Sequence, residues 1–488
     1  MTTKTTKDKE IPHGASLGPP RLTRGLDKLA RINREGHRRI HGRSPYLSLA
    51  QVLALAEAVD LRGRGGAAFP FARKLRAVAR SAETRGARTV VLVNGTEGEP
   101  ASFKDKMLLA RSPHLVLDGA MIAATALRAQ EVVFGVIEGG PQEESVKSAV
   151  EELEVRGSIR IVRLPEAFVT GEGGALVRGV NGEVPVPPGR KVRAAESGVD
   201  GLPTLLSNAE TYAQLAVLAR LGPGRYRELG TAKEPGTTLL TISGSTVVEV
   251  PIGVSLAEVL QRCGVGIGQG VLTGGYHGSW ITPEAAAAAT VSREGLSQVG
   301  GNLGAGIIVP LPNNTCPIGE VAAVATYLGE ESSGQCGPCY LGLPAIARSL
   351  AELVEGRAGG ETLMAIRRGT QRVRGRGACH HPDGTTRFIQ SAIEVFTADI
   401  AAHLDNGTCG RPVQNVLPLP GQHAQAQLSV DWSRCDGHGV CALVVPDLLR
   451  LDADGFPVIS NTPVPEWLED DARQAVAMCP ALALRLTA

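Results

Sequence analysis

The chain has 488 residues, 43% of them hydrophobic, enough at about 150 residues per domain for roughly three domains with cores of their own. Fifty Lys and Arg nearly balance 49 Asp and Glu, so the formal charge is +1. That excludes a chain-wide basic field for nucleic acid or a membrane surface, and any basic site has to be local. No apolar run approaches the ~18 residues of a spanning helix, and the opening MTTKTTKDKEIPHG lacks a signal peptide's apolar segment. A cytoplasmic protein without membrane insertion is expected.

Residues 1–45 carry eleven Lys and Arg against four acids and read as a partly ordered basic arm. Strand–helix alternation follows. A helix is predicted over 49–59, a strand over 89–93, further helices over 106–127, then strand 131–137, helix 142–155 and strand 159–164. Val- and Ile-rich strands separated by helices imply a mostly parallel α/β sheet, which gives the chain its fold class, with a Rossmann-like domain over 46–234. From about Thr237 the period switches to two in TTLLTISG and VVEVPIG, followed by a helix over 256–262 and a strand near Val271. A small α+β module is assigned to 235–316. Residues 317–409 have helical periodicity broken by Gly and Cys loops and read as a helical bundle. The Pro-containing stretch 410–427 reads as a linker, and 428–488 as a last small α+β domain.

Three glycine- or acid-rich segments stand beside the predicted strands. LRGRGGAAFPFARK places Gly63, Gly65 and Gly66 before a helix with Arg64 and Lys74 near, a pattern that brings backbone amides and cations to a phosphate. NGTEGEPASFKD follows a strand and presents Asn94, Glu97 and Glu99 where α/β folds bind ligands. FVTGEGGALVRG and PTLLSNAET supply Phe168, Gly171, Glu172, Ser207 and Asn208. Each alone also suits a structural turn or a solvated loop.

The nine Cys crowd toward the C-terminal third. Without a secretion signal they suggest metal rather than disulfides. ESSGQCGPCYLG and a later Cys379 give one group of three with Cys336 and Cys339; CDGHGVC and a later Cys-Pro give a second with Cys435, Cys441 and Cys479. Terminal Cys-Pro after an earlier Cys pair is a ferredoxin signature. Zinc competes, but the 37 residues between Cys441 and Cys479 speak against it.

Taken in order, LRGRGGAAFP, NGTEGEPASFKDK, TGEGGAL and SNAET resemble blocks of the flavin-carrying, nicotinamide-oxidising subunit of respiratory NADH dehydrogenase and of the diaphorase subunits of hydrogenases and formate dehydrogenases, over about residues 46–404. The resemblance implies FMN and NAD(P)H sharing one cavity. Gly63, Arg64, Gly65, Gly66, Lys74, Asn94, Glu97, Gly171, Glu172, Ser207 and Asn208 would hold FMN, while Phe69, Glu99 and Phe168 would meet the nicotinamide nucleotide. Chemistry would belong to the flavin, with no catalytic acid or base from the protein. Gly173 stands where the family has a second Glu, which leaves NADH against NADPH open.

The resemblance further implies a ubiquitin-like (SLBB-like) module over 235–316 and a four-iron, four-sulfur (4Fe-4S) cluster in the bundle on Cys336, Cys339 and Cys379. Ser333 occupies the first ligand position; Ser333 ligation, Cys409 as a substitute, a three-iron cluster and no cluster stay open. Cys263 and Cys316 are expected to be structural. The last 60 residues resemble the small bacterial ferredoxins that feed cytochromes P450. His438 replaces a central Cys there, so a 3Fe-4S cluster is favoured over a 4Fe-4S cluster with His438 as ligand. The expected whole is an NAD(P)H:ferredoxin oxidoreductase with its ferredoxin fused, passing electrons to an external acceptor such as a cytochrome P450 and open to homo-oligomerisation. The alternatives are a diaphorase subunit of a multisubunit hydrogenase or formate dehydrogenase, and a non-catalytic redox scaffold.

Overall fold

The computed structural model describes residues 14–153, 159–189, 192–420, 427–446, 448–459, 464 and 469–487. The first 13 residues of the expected arm, 421–426 of the expected linker and parts of the last domain lie outside them. Two compact units emerge, Met1–Pro418 and Leu419–Ala488.

In the first unit, β1 (Ala15–Ser16) precedes α1 (Arg34–His41) and α2 (Leu49–Ala58), which starts at a Ser48–Gln51 capping box. Then come α3 (Phe71–Arg85), β2 (Val90–Gly95), α4 (Lys104–Arg111), α5 (Pro113–Leu127) and β3 (Glu131–Ile137). The run closes with α6 (Pro141–Glu151), β4 (Ile159–Leu164), α7 (Gly173–Val180), β5 (Thr204–Asn208) and α8 (Ala209–Tyr226). The helices predicted over 106–127 are α4 and α5, parted at Ser112. Proline lacks an N–H and pushes the residue before it out of the α region, and Ser112 accordingly sits at φ −132°, ψ 50°.

The four strands pair in parallel in the order β4-β3-β2-β5. Both faces are covered, as an all-parallel sheet requires. Val91 and Val93 join the core shared with α5 and α8, whereas Val90 and Leu92 pack on the opposite face with Leu176 and Val180 of α7. Strand order reverses at β2, so a crevice opens beyond the carboxyl ends of β2 and β5, where Asn94 and Asn208 stand in register.

A second, mixed sheet holds β6 (Thr237–Ile242), β7 (Thr246–Pro251), β8 (Gly270–Thr273), β9 (Ser279–Ile281) and β10 (Ile307–Leu311), in the order β1-β7-β6-β10-β8-β9. Helices α9 (Leu256–Arg262), α10 (Pro283–Ala288) and α11 (Arg293–Gln298) are part of the same module. From residue 14 onward, the segment read as a basic arm is sewn into this sheet. The buried Glu249 carboxylate of β7 accepts the N–H groups of Arg21, Leu22 and Thr23 at 2.9–3.1 Å, and Leu22 and Ile32 enter the main core. Three backbone donors on one carboxylate are what a buried charge needs to be tolerated.

The bundle comprises α12 (Pro317–Glu330), α13 (Leu343–Val354), α14 (Thr362–Val373), α15 (His381–Val395) and α16 (Thr397–Asn406). Residues 411–418, part of the stretch read as a linker, are laced onto α12. Glu320, itself buried, accepts the N–H groups of Gln414, Val416 and Leu417, and the Cys316 N–H donates to the Pro412 carbonyl at 2.8 Å.

The second unit contains β11 (Gln427–Val430), α17 (Val440–Val444), β12 (Leu449–Leu451), β13 (Pro457–Ile459), α18 (Glu469–Met478) and β14 (Leu484–Thr487). β11 pairs antiparallel with β14, so the strand before the first Cys and the strand after Cys-Pro are partners. Leu428, Val445, Leu449, Ala472, Ala475 and Leu484 form its core. Among the described residues no helix is long and apolar enough to cross a membrane.

Candidate cofactor cavity and metal centres

The glycine loop between α2 and α3 is held by its own backbone and by α8. The Gly63 N–H donates to the Phe69 carbonyl at 3.0 Å and the Arg64 N–H to the Thr211 hydroxyl at 2.9 Å. A Cβ on Gly65 would stand 3.3 Å from that of Asn208, so this turn presses directly on the start of α8. Gly66 has φ +99°, a left-handed conformation that favours glycine.

Gly63, Arg64 and Gly66 line a cavity of about 180 Å³ together with Arg62, Glu210, Thr238, Arg293, Arg387 and the loop from Asn302 to Gly306. Its electrostatics are lopsided. Glu210, the one carboxylate in the wall, is neutralised by the buried Lys104 at 3.1 Å. Lys104 also pairs with Asp105 at 3.0 Å, and those two acids hold its pKa above the ordinary lysine value despite burial. Arg62 and Arg293 pair with Asp60 and Glu234 at 2.6 and 2.9 Å. The Arg64 Nε–H is buried without a hydrogen-bond partner, its nearest carboxylate oxygen being 4.0 Å away on Glu210. A buried guanidinium donor left open beside glycine amides fits a phosphate-bearing ligand.

The other residues expected at this site divide into groups. Asn208 caps α8 by accepting the Glu210 N–H, and its amide donates to Asp105 at 2.5 Å. Asn94 donates to the Gly171 carbonyl at 3.0 Å, tying the acidic loop to the third glycine segment. Glu172 caps α7 through the Gly174 and Ala175 N–H groups. Ser207 is buried at the end of β5. The Lys74 ammonium donates to the Leu206 carbonyl at 2.7 Å, and burial pulls its pKa down to about 8. Glu97 faces α4, accepting the Ser102 hydroxyl and the Asp105 and Lys106 N–H groups. Phe69 is 45% exposed, with the Arg73 guanidinium 5.6 Å from its ring centroid.

Glu99 and Phe168 meet the second sheet instead. Glu99 accepts the Tyr276 N–H at 2.5 Å against Gly275, where any Cβ would strike its carboxylate. Burial raises its pKa to about 8, with Tyr276 working the other way and Glu97 adding to the rise. The Phe168 ring lies edge-on to His277 and His381, which share a 3.1 Å hydrogen bond, and the Phe168 N–H donates to Glu331 at 2.8 Å. Sequence reasoning missed Lys104, Arg293, Arg387, Tyr276, His277 and His381. NLGAG at 302–306 was a readable glycine signal for one wall; the arginines arrive from other modules and carry none.

In the bundle, Cys336 and Cys339 hydrogen-bond to each other, and the charge of Cys379 acts on Cys339. Burial opposes the Cys336 thiolate, but the Ala378 and Cys339 N–H groups outweigh it and lower its pKa. Burial and the neighbouring Cys336 push Cys339 up to about 12. The Ser332 side chain acts on Cys339, lowering its pKa against these effects. Cys409 lies elsewhere, grouped with Cys316 and His403. In the second unit, burial first raises the Cys441 pKa, backbone N–H groups oppose it, and the charges of Cys479 and Cys435 add to the rise. His438 is exposed beside them in sequence.

Residues 56–217 match the Nuo51 FMN-binding domain, and residues 320–403 match the NADH-ubiquinone oxidoreductase-F iron-sulfur binding region. The chain is similar to the F subunits of NADH-quinone oxidoreductases. It is 27% identical over 383 residues to the NADH-quinone oxidoreductase F 2 subunit of Rhizobium meliloti, covering 74% of this chain and 90% of that one. It is also 27% identical over 433 residues to the NADP-reducing hydrogenase subunit HndC of Solidesulfovibrio fructosivorans, covering 82% and 86%. A crystal structure of NAD+-reducing [NiFe]-hydrogenase in the H2-reduced state superposes with a TM-score of 0.67 at 26% identity, covering 74% of this F-subunit-like chain but only 63% of the hydrogenase chain. Residues 428–486 match a 4Fe-4S single cluster domain. The three-iron cluster expected from His438 finds no support in that match, whose description is of a four-iron cluster.

Proposed function

We propose that this chain is the nicotinamide-oxidising, diaphorase-type component of a larger redox assembly, with an electron-carrying four-iron domain at its C-terminus. The observation that carries the reading is the open Arg64 Nε–H in a cavity walled by Gly63, Gly66 and two further modules. FMN bound there would accept hydride from NAD(P)H and release electrons singly. Gly63, Arg64, Gly65 and Gly66 would cradle its phosphate, with Asn208 setting the turn. Lys74, Asn94, Gly171, Glu172 and Ser207 hold the strand ends that frame the ring, and Glu97 keeps α4 in place behind them. Phe69 at the surface and Glu99 and Phe168 on the second sheet suit the nicotinamide nucleotide. A Glu99 carboxyl that keeps its proton near neutral pH can donate to a carboxamide oxygen, which a carboxylate cannot.

Cys336, Cys339 and Cys379 would hold a four-iron cluster, with Ser332 or Ser333 beside them. Cys435, Cys441 and Cys479 would hold the second, with His438 as fourth ligand. Module limits near 46, 235, 317, 410 and 428 and a ubiquitin-like role for the second sheet belong to this reading. The relatives are named as subunits of multisubunit enzymes, which favours an assembly component over a self-contained reductase serving a cytochrome P450.

Affinity purification from the native host tests this. Expected are co-purifying redox subunits, flavin absorption that NADH or NADPH bleaches, and paramagnetic resonance signals from both clusters only after reduction. A colourless protein that neither nucleotide changes rejects it; a signal in the oxidised state restores the three-iron form.

A further inference from the structure

We propose that Cys316, Cys409 and His403 form a mononuclear zinc site, separate from both iron-sulfur ligand sets. Their Sγ, Sγ and imidazole nitrogen atoms lie within 4.8 Å of one another, and Cys316 Sγ is 3.2 Å from His403 Nε2. Tetrahedral zinc with Zn–S of about 2.3 Å and Zn–N of about 2.0–2.1 Å places ligand atoms about 3.5–3.8 Å apart. The Cys316–His403 pair is therefore within about 0.3 Å of that spacing, and no pair has to close by more than about 1.3 Å. Thiolates around a cluster are spread by its inorganic core, whereas three donors this close converge on one ion.

The charge also closes. Two thiolates and a neutral imidazole balance a divalent cation, and binding displaces two thiol protons into solvent. In the metal-free chain, burial keeps the Cys316 thiol protonated, the Gly319 N–H opposing and the neighbouring Cys409 reinforcing this. Nε2 faces the thiols. Burial lowers the pKa of the ring, the Leu353 and Gly407 backbone opposing, which favours the neutral imidazole; with its proton on Nδ1, which makes no hydrogen bond, Nε2 is free to ligate. Glu320, one turn along α12 from Cys316, is taken up by Thr315, Gln414, Val416 and Leu417, so the fourth position falls to water reaching past the half-buried Cys409. Such an ion would clamp the first turn of α12, the last turn of α16 and the strap at 411–418.

The test uses the full chain, purified with its iron-sulfur clusters and without chelator. Zinc and iron are quantified by mass spectrometry, and the zinc K-edge X-ray absorption is recorded. Expected is one zinc per chain with two sulfur ligands and at least one nitrogen. Cys409→Ser and His403→Gln should each lower zinc affinity about tenfold or more while leaving iron content unchanged. Cys316→Ser, which alters a helix cap, is read only alongside a melting curve; added zinc should raise the melting temperature of the metal-stripped parent but not of Cys409→Ser. Four results overturn the proposal: a parent chain that stays zinc-free after incubation with zinc and a thiol reductant; zinc retained in Cys409→Ser; iron lost from Cys409→Ser; or a Cys316–Cys409 disulfide under reducing purification.

Discussion

Glu99 is a half-buried carboxyl group pressed between Gly275 and the Tyr276 N–H, and its proton is the adjustable quantity there. In the unfolded chain it titrates near 4.5, in the folded chain near 8. Between those values the folded state holds the extra proton, so stability falls as pH rises through the window. Glu99→Gln keeps the acceptor for Tyr276 and removes the titration. We expect its melting temperature to match the parent at pH 5 and to exceed it at pH 8; an equal pH slope for the two proteins would contradict the burial argument. At Arg64 the expectation runs toward ligand. Arg64→Ala removes the open cavity donor and should cut flavin retention through gel filtration by about tenfold or more, since a charge-assisted phosphate contact contributes about 1.5–3 kcal/mol. Full flavin content in that variant would move the phosphate elsewhere. At this scale the sequence singled out candidate residues and not whom they face. Glu97 and Glu99 stand two apart in one acidic loop, yet one caps α4 and the other reaches a hairpin nearly 180 residues away.

Elements were legible where burial is periodic. The strands at 131–137 and 159–164 and the helix at 256–262 fall where alternation or a 3.6-residue period puts them. Within 106–127, read as helices, the break falls at Pro113, where proline's missing donor puts it. The strap at 411–418 was not, because it is held by backbone N–H groups on Glu320, and no side-chain pattern announces a backbone contact. Close helix contact is equally silent in sequence until a glycine marks it. A Cβ on Gly119 of α5 would fall 1.8 Å from the Tyr212 carbonyl oxygen of α8. We therefore expect Gly119→Ala to force these helices apart at a cost of about 3 kcal/mol or more, seen as a melting temperature lower by roughly 3 °C or more in a unit of this size. A variant as stable as the parent would mean that α5 and α8 pack less closely than described.

The whole molecule divides after Pro418. A chain ending there should keep its flavin and its NADH-dependent bleaching, and lose about four irons and one of two cluster signals, as removal of a four-iron domain requires. Loss of flavin as well would show that the second unit supports the first. The order of modules was readable from composition; their stitching was not, because Glu249 lies 228 residues from Arg21, which it binds. That separation has a consequence in time. A ribosome adding about 5–20 residues per second needs roughly 10–45 s to make the acceptor after it has made the donors. For that interval the newborn N-terminus has its amides unanswered and Leu22 uncovered. It is synthesised well before the carboxylate that holds it.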